Sequence, residues 1–177
     1  MQSRFKNKFK YFEHPSDVGF EACGETLEEL FANAALATFS FMTNVEEVGE
    51  GEGEEVVEKE VKIKSEDLCS LMFDWLDEMI FLFESELLVP KRFEIKVQAG
   101  EEEREEERVG EAGGEAGEGS EGGEAAEFSI NGKCSGGRFD PARHESGIII
   151  KAVTYNMMEV KKDEKSGVWK ARVVLDV

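Results

Sequence analysis

Between positions 66 and 83 the chain reads Glu66-Asp67-Leu68-Cys69-Ser70-Leu71-Met72-Phe73-Asp74-Trp75-Leu76-Asp77-Glu78-Met79-Ile80-Phe81-Leu82-Phe83. Leu68, Leu71, Met72, Trp75, Leu76, Met79, Ile80 and Phe83 recur at intervals of three and four, which gathers them on one face of a helix. Glu66 and Asp67 are expected in its first turn, where carboxylates meet the positive end of the helix dipole. A stripe this broad is a core face, not a cofactor-binding box. It has to pack on something, and the flanking segments supply sheet.

Toward the N-terminus, Val61-Lys62-Ile63 reads as a strand emerging from a Glu/Gly loop over 46–60. Before it, 26–43 is predicted helical: Thr26 stands three before Glu29, the spacing of a capping box, and Leu27, Leu30, Phe31, Ala34, Ala35 and Thr38 form its stripe. Residues 9–12 and 18–23 read as short strands on either side of the turn-like His14-Pro15-Ser16-Asp17. Toward the C-terminus, Phe93, Ile95 and Val97 alternate with polar residues after Pro90, as in a half-buried strand. Phe128 and Ile130 open another strand, with Asn131-Gly132 as a turn signal. Residues 148–160 and 169–177 pair as a hairpin around Asp163–Gly167. The order predicts an α+β fold, a layered sandwich of two amphipathic helices packed on mixed or antiparallel sheet, forming a single domain over 1–177.

The net charge is −19, from 40 Asp+Glu against 21 Lys+Arg. Much of it is local. Residues 101–127 hold 12 Glu and 2 Arg, a net of −10, with 7 Gly and 4 Ala, which leaves −9 for the other 150 residues. This low-complexity stretch lacks the apolar side chains that offset the entropy of ordering, and it is expected to be a disordered loop inside the domain. Its Gly117-x-Gly119-x-x-Gly122 has neither a strand before it nor a helix after it, so it is no dinucleotide fingerprint. An acidic surface repels a phosphate backbone, so no stable direct nucleic-acid binding is expected. Arg4, Lys6, Lys8 and Lys10 are read as a solvated lead-in. No apolar run approaches the ~20 residues of a membrane span, and no leader peptide is recognisable. Cys23, Cys69 and Cys134, odd in number and without a C-x-x-C pair, fit reduced thiols in a cytoplasmic protein.

Four places hold residues able to do chemistry. His14 with Asp17, and Asp140 with His144, are pieces a metal hydrolase could use, although His-Pro and Asp-Pro turns also spend these side chains on local backbone. Asp176 stands beside Val177, so two anionic oxygens meet where the sequence ends; they would suit a hard ion such as Ca²⁺ or Mg²⁺, or simply face water. Lys151 falls in Ile148-Ile149-Ile150-Lys151-Ala152-Val153-Thr154-Tyr155, where strand alternation aligns it with Ile149, Val153 and Tyr155. It is either an edge-strand gatekeeper or a cation presented to phosphate or to a partner's carboxylate.

Several ordered blocks resemble the archease family: Phe12-Glu13-His14-Pro15-Ser16-Asp17-Val18-Gly19, Gly24-Glu25-Thr26-Leu27-Glu28-Glu29-Leu30-Phe31-Ala32-Asn33-Ala34-Ala35, Trp75-Leu76-Asp77-Glu78, Phe139-Asp140-Pro141-Ala142-Arg143-His144, Lys151-Ala152-Val153-Thr154-Tyr155 and Arg172-Val173-Val174-Leu175-Asp176-Val177. The turn reads His-Pro-Ser-Asp where the family usually has His-Thr-Ala-Asp, and the Glu/Gly stretch is longer than the family's. The resemblance implies a small cytosolic protein, not itself an enzyme, that activates the tRNA-splicing RNA ligase. It would promote ligase guanylylation and multiple turnover, and would broaden nucleotide use. It further implies a divalent metal, Ca²⁺ first with Mg²⁺ or Mn²⁺ as alternatives, held by Asp17, Asp176 and an oxygen of Val177, with Lys151 as a functional contact. The competing readings are a chaperone-like modulator of RNA-modifying enzymes and a hydrolase built on His14, Asp17 and His144.

Overall fold

The architecture, given by a computed structural model, is described for residues 8–49, 51, 53–98 and 128–177. The low-complexity stretch 101–127, Arg4 and Lys6 lie outside the described residues. Within them the chain forms β1 (Phe9–Glu13), β2 (Val18–Gly24), α1 (Leu27–Met42), β3 (Val57–Ser65), α2 (Leu68–Glu86), β4 (Leu88–Gln98), β5 (Phe128–Arg138), β6 (Ala152–Lys162) and β7 (Trp169–Asp176). One sheet runs β1-β2-β7-β6 and the other β3-β5-β4. Every pairing is antiparallel, so the fold is α+β as expected, with no parallel strands among those described.

Each helix touches both sheets: α1 packs on β2 and β7 and also on β4, while α2 packs on β6 and also on β3, β4 and β5. The helices therefore form the middle of the sandwich. That explains why α1 is buried nearly all round, through the unbroken run Asn33–Phe39, and not along a single stripe. A helix covered on both sides needs apolar or small residues around its circumference. Gly24 permits close approach, since a Cβ there would lie 2.4 Å from the main-chain nitrogen of Leu30.

The stripe of α2 is buried at Leu71, Met72, Trp75, Leu76, Met79, Ile80 and Leu82. Trp75 joins the two helices. Its indole N–H donates to the carbonyl of Phe31 at 2.9 Å, and its ring meets Phe31 and Phe93 edge-on. Both helices start on capping side chains. Thr26 Oγ1 accepts from the N–H of Glu29 at 3.2 Å, while Glu29 reaches back to the N–H of Glu25 at 2.8 Å. Asp67 is the N-cap of α2 and accepts from the N–H of Ser70 at 2.8 Å; Glu66 precedes it, so neither acid lies within the first turn.

Three expectations are corrected by the strand pairing. Asn131-Gly132 is no turn: β5 runs straight through it, with Gly132 opposite both Val61 and Ile95. The glycine serves close packing, because a Cβ there would lie 2.2 Å from the carbonyl oxygen of Glu94. Strand β3 begins at Val57, inside the stretch read as loop. Lys10 is not a loose lead-in but part of β1, paired with Glu21. The β6–β7 hairpin forms where expected, with Gly167 at φ 72 and Asp163 Oδ1 accepting from the N–H groups of Lys165 and Ser166. No helix among the described residues is long and apolar enough to cross a membrane.

Candidate functional site

The sheet order places β7 between β2 and β6, and this brings three distant stretches of chain to one end of the sheet. Val18 pairs with Leu175, so one step further Asp17 comes level with Asp176. On the other side Asp176 pairs with Ala152, and the N–H of Lys151 donates to the Asp176 carbonyl at 2.9 Å. The ammonium of Lys151 then turns onto the main-chain oxygen of Val177 at 2.6 Å. Asp17, Asp176, Val177 and Lys151 thus share the ends of three adjacent strands.

His14 belongs to the same end. Its Nδ1 lies 2.9 Å from Asp17 Oδ2, an ion-pair distance, but is turned off the line of a hydrogen bond, and the atom is buried. Its Nε2 faces Asn156 Nδ2 at 3.5 Å. Asn156 is the residue that the sequence pattern missed. It lies in an irregular part of β6, between Thr154 paired to Val174 and Glu159 paired to Arg172, where Met157 takes φ 56. The bulge carries Asn156 toward His14, and its cause, an offset in pairing with β7, leaves no mark in the local pattern. Pro15, His14 and Asp17 also line a shallow cavity of about 540 Å³ closed by Phe12, Val18 and Phe41.

The surroundings of Lys151 differ from the strand-face expectation. Strand β6 starts one residue later, Ile149 is 77% exposed and Tyr155 57% exposed. Tyr155 instead stacks flat on Phe73 of α2, with ring centroids 4.3 Å apart. The lysine is thus an exposed cation at a strand entrance, anchored through Val177.

Asp140 and His144 belong to a separate construction. Asp140 Oδ1 accepts from the N–H of Ala142, and the N–H of Asp140 donates to His144 Nδ1 at 2.9 Å. That leaves Nε2 to carry an N–H toward Glu54 Oε1, at 3.4 Å. Arg143 grips the same oxygen at 2.8 Å, and Glu54 Oε2 accepts from the N–H of Gly49. Burial by itself would raise the Glu54 carboxyl, but the Gly49 N–H together with Arg143 and His144 holds it below the usual range. This is a clamp tying the loop after α1 to the turn after β5. His144 is 8% exposed, and among the described residues no three His, Cys, Asp or Glu come together to hold a metal, so His14, Asp17 and His144 form no joint hydrolase centre.

For a divalent ion, the strand-end donors are two carboxylates and a main-chain oxygen, the hard set that Ca²⁺, Mg²⁺ or Mn²⁺ prefers. No group of three or more His, Cys, Asp or Glu able to hold a metal comes together among the described residues. Two carboxylates and one main-chain oxygen fall short of a complete cage, and the described residues by themselves show no metal site.

Residues 9–177 match the family model for the Archease protein family. The protein archease of Methanosarcina mazei is 41% identical over 170 residues, covering 96% of this chain and 96% of its own. That of Pyrococcus furiosus is 31% identical, over 96% of this chain and 99% of its own. The solution structure of a Methanobacterium thermoautotrophicum protein matches with a TM-score of 0.66 at 33% identity, over 97% of this chain and 99% of that one. With a family match reaching from the first strand to the last residue, the chain belongs to the archease family.

Proposed function

We propose that this chain is a non-enzymatic activator of the tRNA-splicing RNA ligase, promoting ligase guanylylation and multiple turnover and widening the nucleotides the ligase accepts. Family membership supports an accessory role beside an RNA-processing enzyme. The observation that carries the finer reading is the convergence of Lys151 with Asp17, Asp176 and Val177 at the ends of β6, β2 and β7. Exposed charges fixed on strand ends can be offered to a partner without prior ordering.

In this reading Lys151 presents its ammonium to a phosphate or carboxylate at the ligase's guanylylation site. Its hold on the Val177 oxygen keeps the side chain extended in the approach. Asp17, beside His14, and Asp176 would hold the divalent ion together with Val177. Such an ion, when bound, supplies positive charge that stabilises phosphoryl transfer. The bulge of β6, with Tyr155 and Met157 exposed beside the strand ends, provides apolar contact area.

The test measures guanylylated ligase formed per minute with and without this protein and with Asp17→Asn and Asp176→Asn. Acceleration by the native chain that both variants lose is expected; no acceleration of a cognate ligase defeats the proposal. A second reading, a chaperone-like modulator of RNA-modifying enzymes, draws on the exposed Ile149, Tyr155 and Met157. It predicts suppression of partner aggregation that survives loss of Asp17 and Asp176.

A further inference from the structure

Because the helices occupy the middle layer, the outer face of the β1-β2-β7-β6 sheet has no covering element among the described residues. Its register assembles an array of charge. Lys10 lies opposite Glu21, Glu21 opposite Arg172, and Arg172 opposite Glu159, giving one row across all four strands. Two residues further along β7, Lys170 lies directly opposite Lys161. These six line a cavity of about 550 Å³. Four cations against two carboxylates make the lining +2 on a chain whose net charge is −19.

Two details point to a missing anion. Like charges directly opposite on neighbouring strands are unfavourable, so folding alone gives no reason for the Lys161–Lys170 pair. Both side chains are diverted, Lys161 to Glu159 and Lys170 to Asp163, each at 2.6 Å. Arg172 lies over the ring of Phe12, 4.5 Å from its centroid, and its Nε is buried with no acceptor among the described residues. Buried donors are normally satisfied, and an orphan at a cavity wall suggests an absent partner. The local field is positive as well: Lys10 first, and then Arg172 and Lys170, hold the Glu21 carboxyl below its usual range.

We propose that this groove is a second site, separate from the strand ends, that binds a compact polyphosphate anion such as the triphosphate of a nucleotide. Lys161 and Lys170 take one phosphate, and Arg172, about 7 Å along the strand, takes another. The ion pairs already present do not block this. Lys10, Lys161 and Lys170 are at least half exposed, and exposed pairs open at little cost. A long polyanion fits less well than a compact one, because beyond the groove it meets the acidic remainder of the chain. Glu21 in β2 lies four residues beyond Asp17, which precedes that strand, about 14 Å for extended chain, so the groove and the strand ends can be probed separately.

The experiment titrates the full chain with tripolyphosphate, ATP and a single-stranded RNA oligonucleotide, by calorimetry and by amide NMR shifts. Saturable binding of tripolyphosphate and ATP is expected, with shifts centred on Glu21, Lys161, Lys170 and Arg172 and with affinity falling as salt rises. Lys161→Gln and Lys170→Gln should each weaken it about tenfold, the loss of one hydrogen bond to a charged group. Lys161→Gln should leave the melting temperature within about 2 °C, since a like-charge neighbour goes with the lysine, whereas Lys170→Gln also gives up the Asp163 pair and should melt slightly earlier while staying folded. Asp176→Asn should leave binding unchanged. Absence of saturable binding, indifference to the double Lys161→Gln, Lys170→Gln variant, loss of binding with Asp176→Asn, or RNA binding tighter than ATP would each overturn the assignment.

Discussion

Replacing Lys151 by alanine separates a structural lysine from a working one. The substitution removes the ammonium that donates to Val177 at 2.6 Å and leaves the main-chain bond from Lys151 to Asp176 in place. The side chain is exposed, so the freed oxygen returns to water and the cost is roughly 0.5–1 kcal/mol. For a chain of this length 1 kcal/mol moves the melting midpoint by about 2–4 °C, so Lys151→Ala should stay folded and melt no more than about 4 °C early. Against the ligase the loss is larger. An ammonium bonded to a phosphate or carboxylate at a desolvated contact contributes about 1.5–3 kcal/mol, which is roughly ten- to a hundredfold in guanylylation rate. Lys151→Arg should recover only part, because a planar guanidinium does not reproduce a compact ammonium. The assay is guanylylation of a cognate ligase beside a thermal melt and light scattering. Full activation by soluble Lys151→Ala would refute the functional reading, and aggregation of that variant as its chief defect would leave Lys151 a gatekeeper.

Residues 101–127 should be dispensable to the fold. Gln98 pairs with Ser129, so β4 and β5 end beside each other and a short link can close them; the deletion should keep a single cooperative unfolding transition, since closure cost varies slowly with loop length. Cys134 is 1% exposed and burial, followed by Glu78, pushes its thiol up to about 11. Mass spectrometry after alkylation at pH 8 should find Cys23 and Cys69 modified in the native protein and Cys134 only after unfolding. Stability should hold from pH 7 to about 5 and fall below about 4.5. The Lys59 pair, aided by Arg138, holds Glu86 below its ordinary value of 4.5, and Lys170 with Ser166 does the same for Asp163. A carboxyl lowered in the folded state stabilises above its unfolded pKa and loses that contribution as pH drops through the folded one. Glu86→Gln should flatten the decline, and a melting midpoint unchanged between pH 5 and pH 3 would contradict the account.

What the sequence determined by itself is what neighbouring residues decide among themselves. The spacing of Leu71, Met72, Trp75, Leu76, Met79 and Ile80 made a helix with a core face, Thr26 started the first helix, and Asp163 with Gly167 turned the last hairpin. All of these act over four residues or fewer, so periodicity and turn chemistry expose them. The six family blocks also pointed to Asp17, Asp176, Val177 and Lys151 as a group, but not to how they meet. That was decided by the sheet order, which sets β7 between β2 and β6. The same long-range choices reassigned residues whose local pattern misled. Gly132 became a packing glycine inside β5, His144 a partner of Glu54, and Lys10 a member of a four-strand row. Registers and layer order are settled by which apolar faces can be buried together across the whole chain. With the helices taken into the middle layer, one charged sheet face was left uncovered by the described residues, and no stretch of sequence read alone could show that Lys161 and Lys170 would stand opposite one another on it.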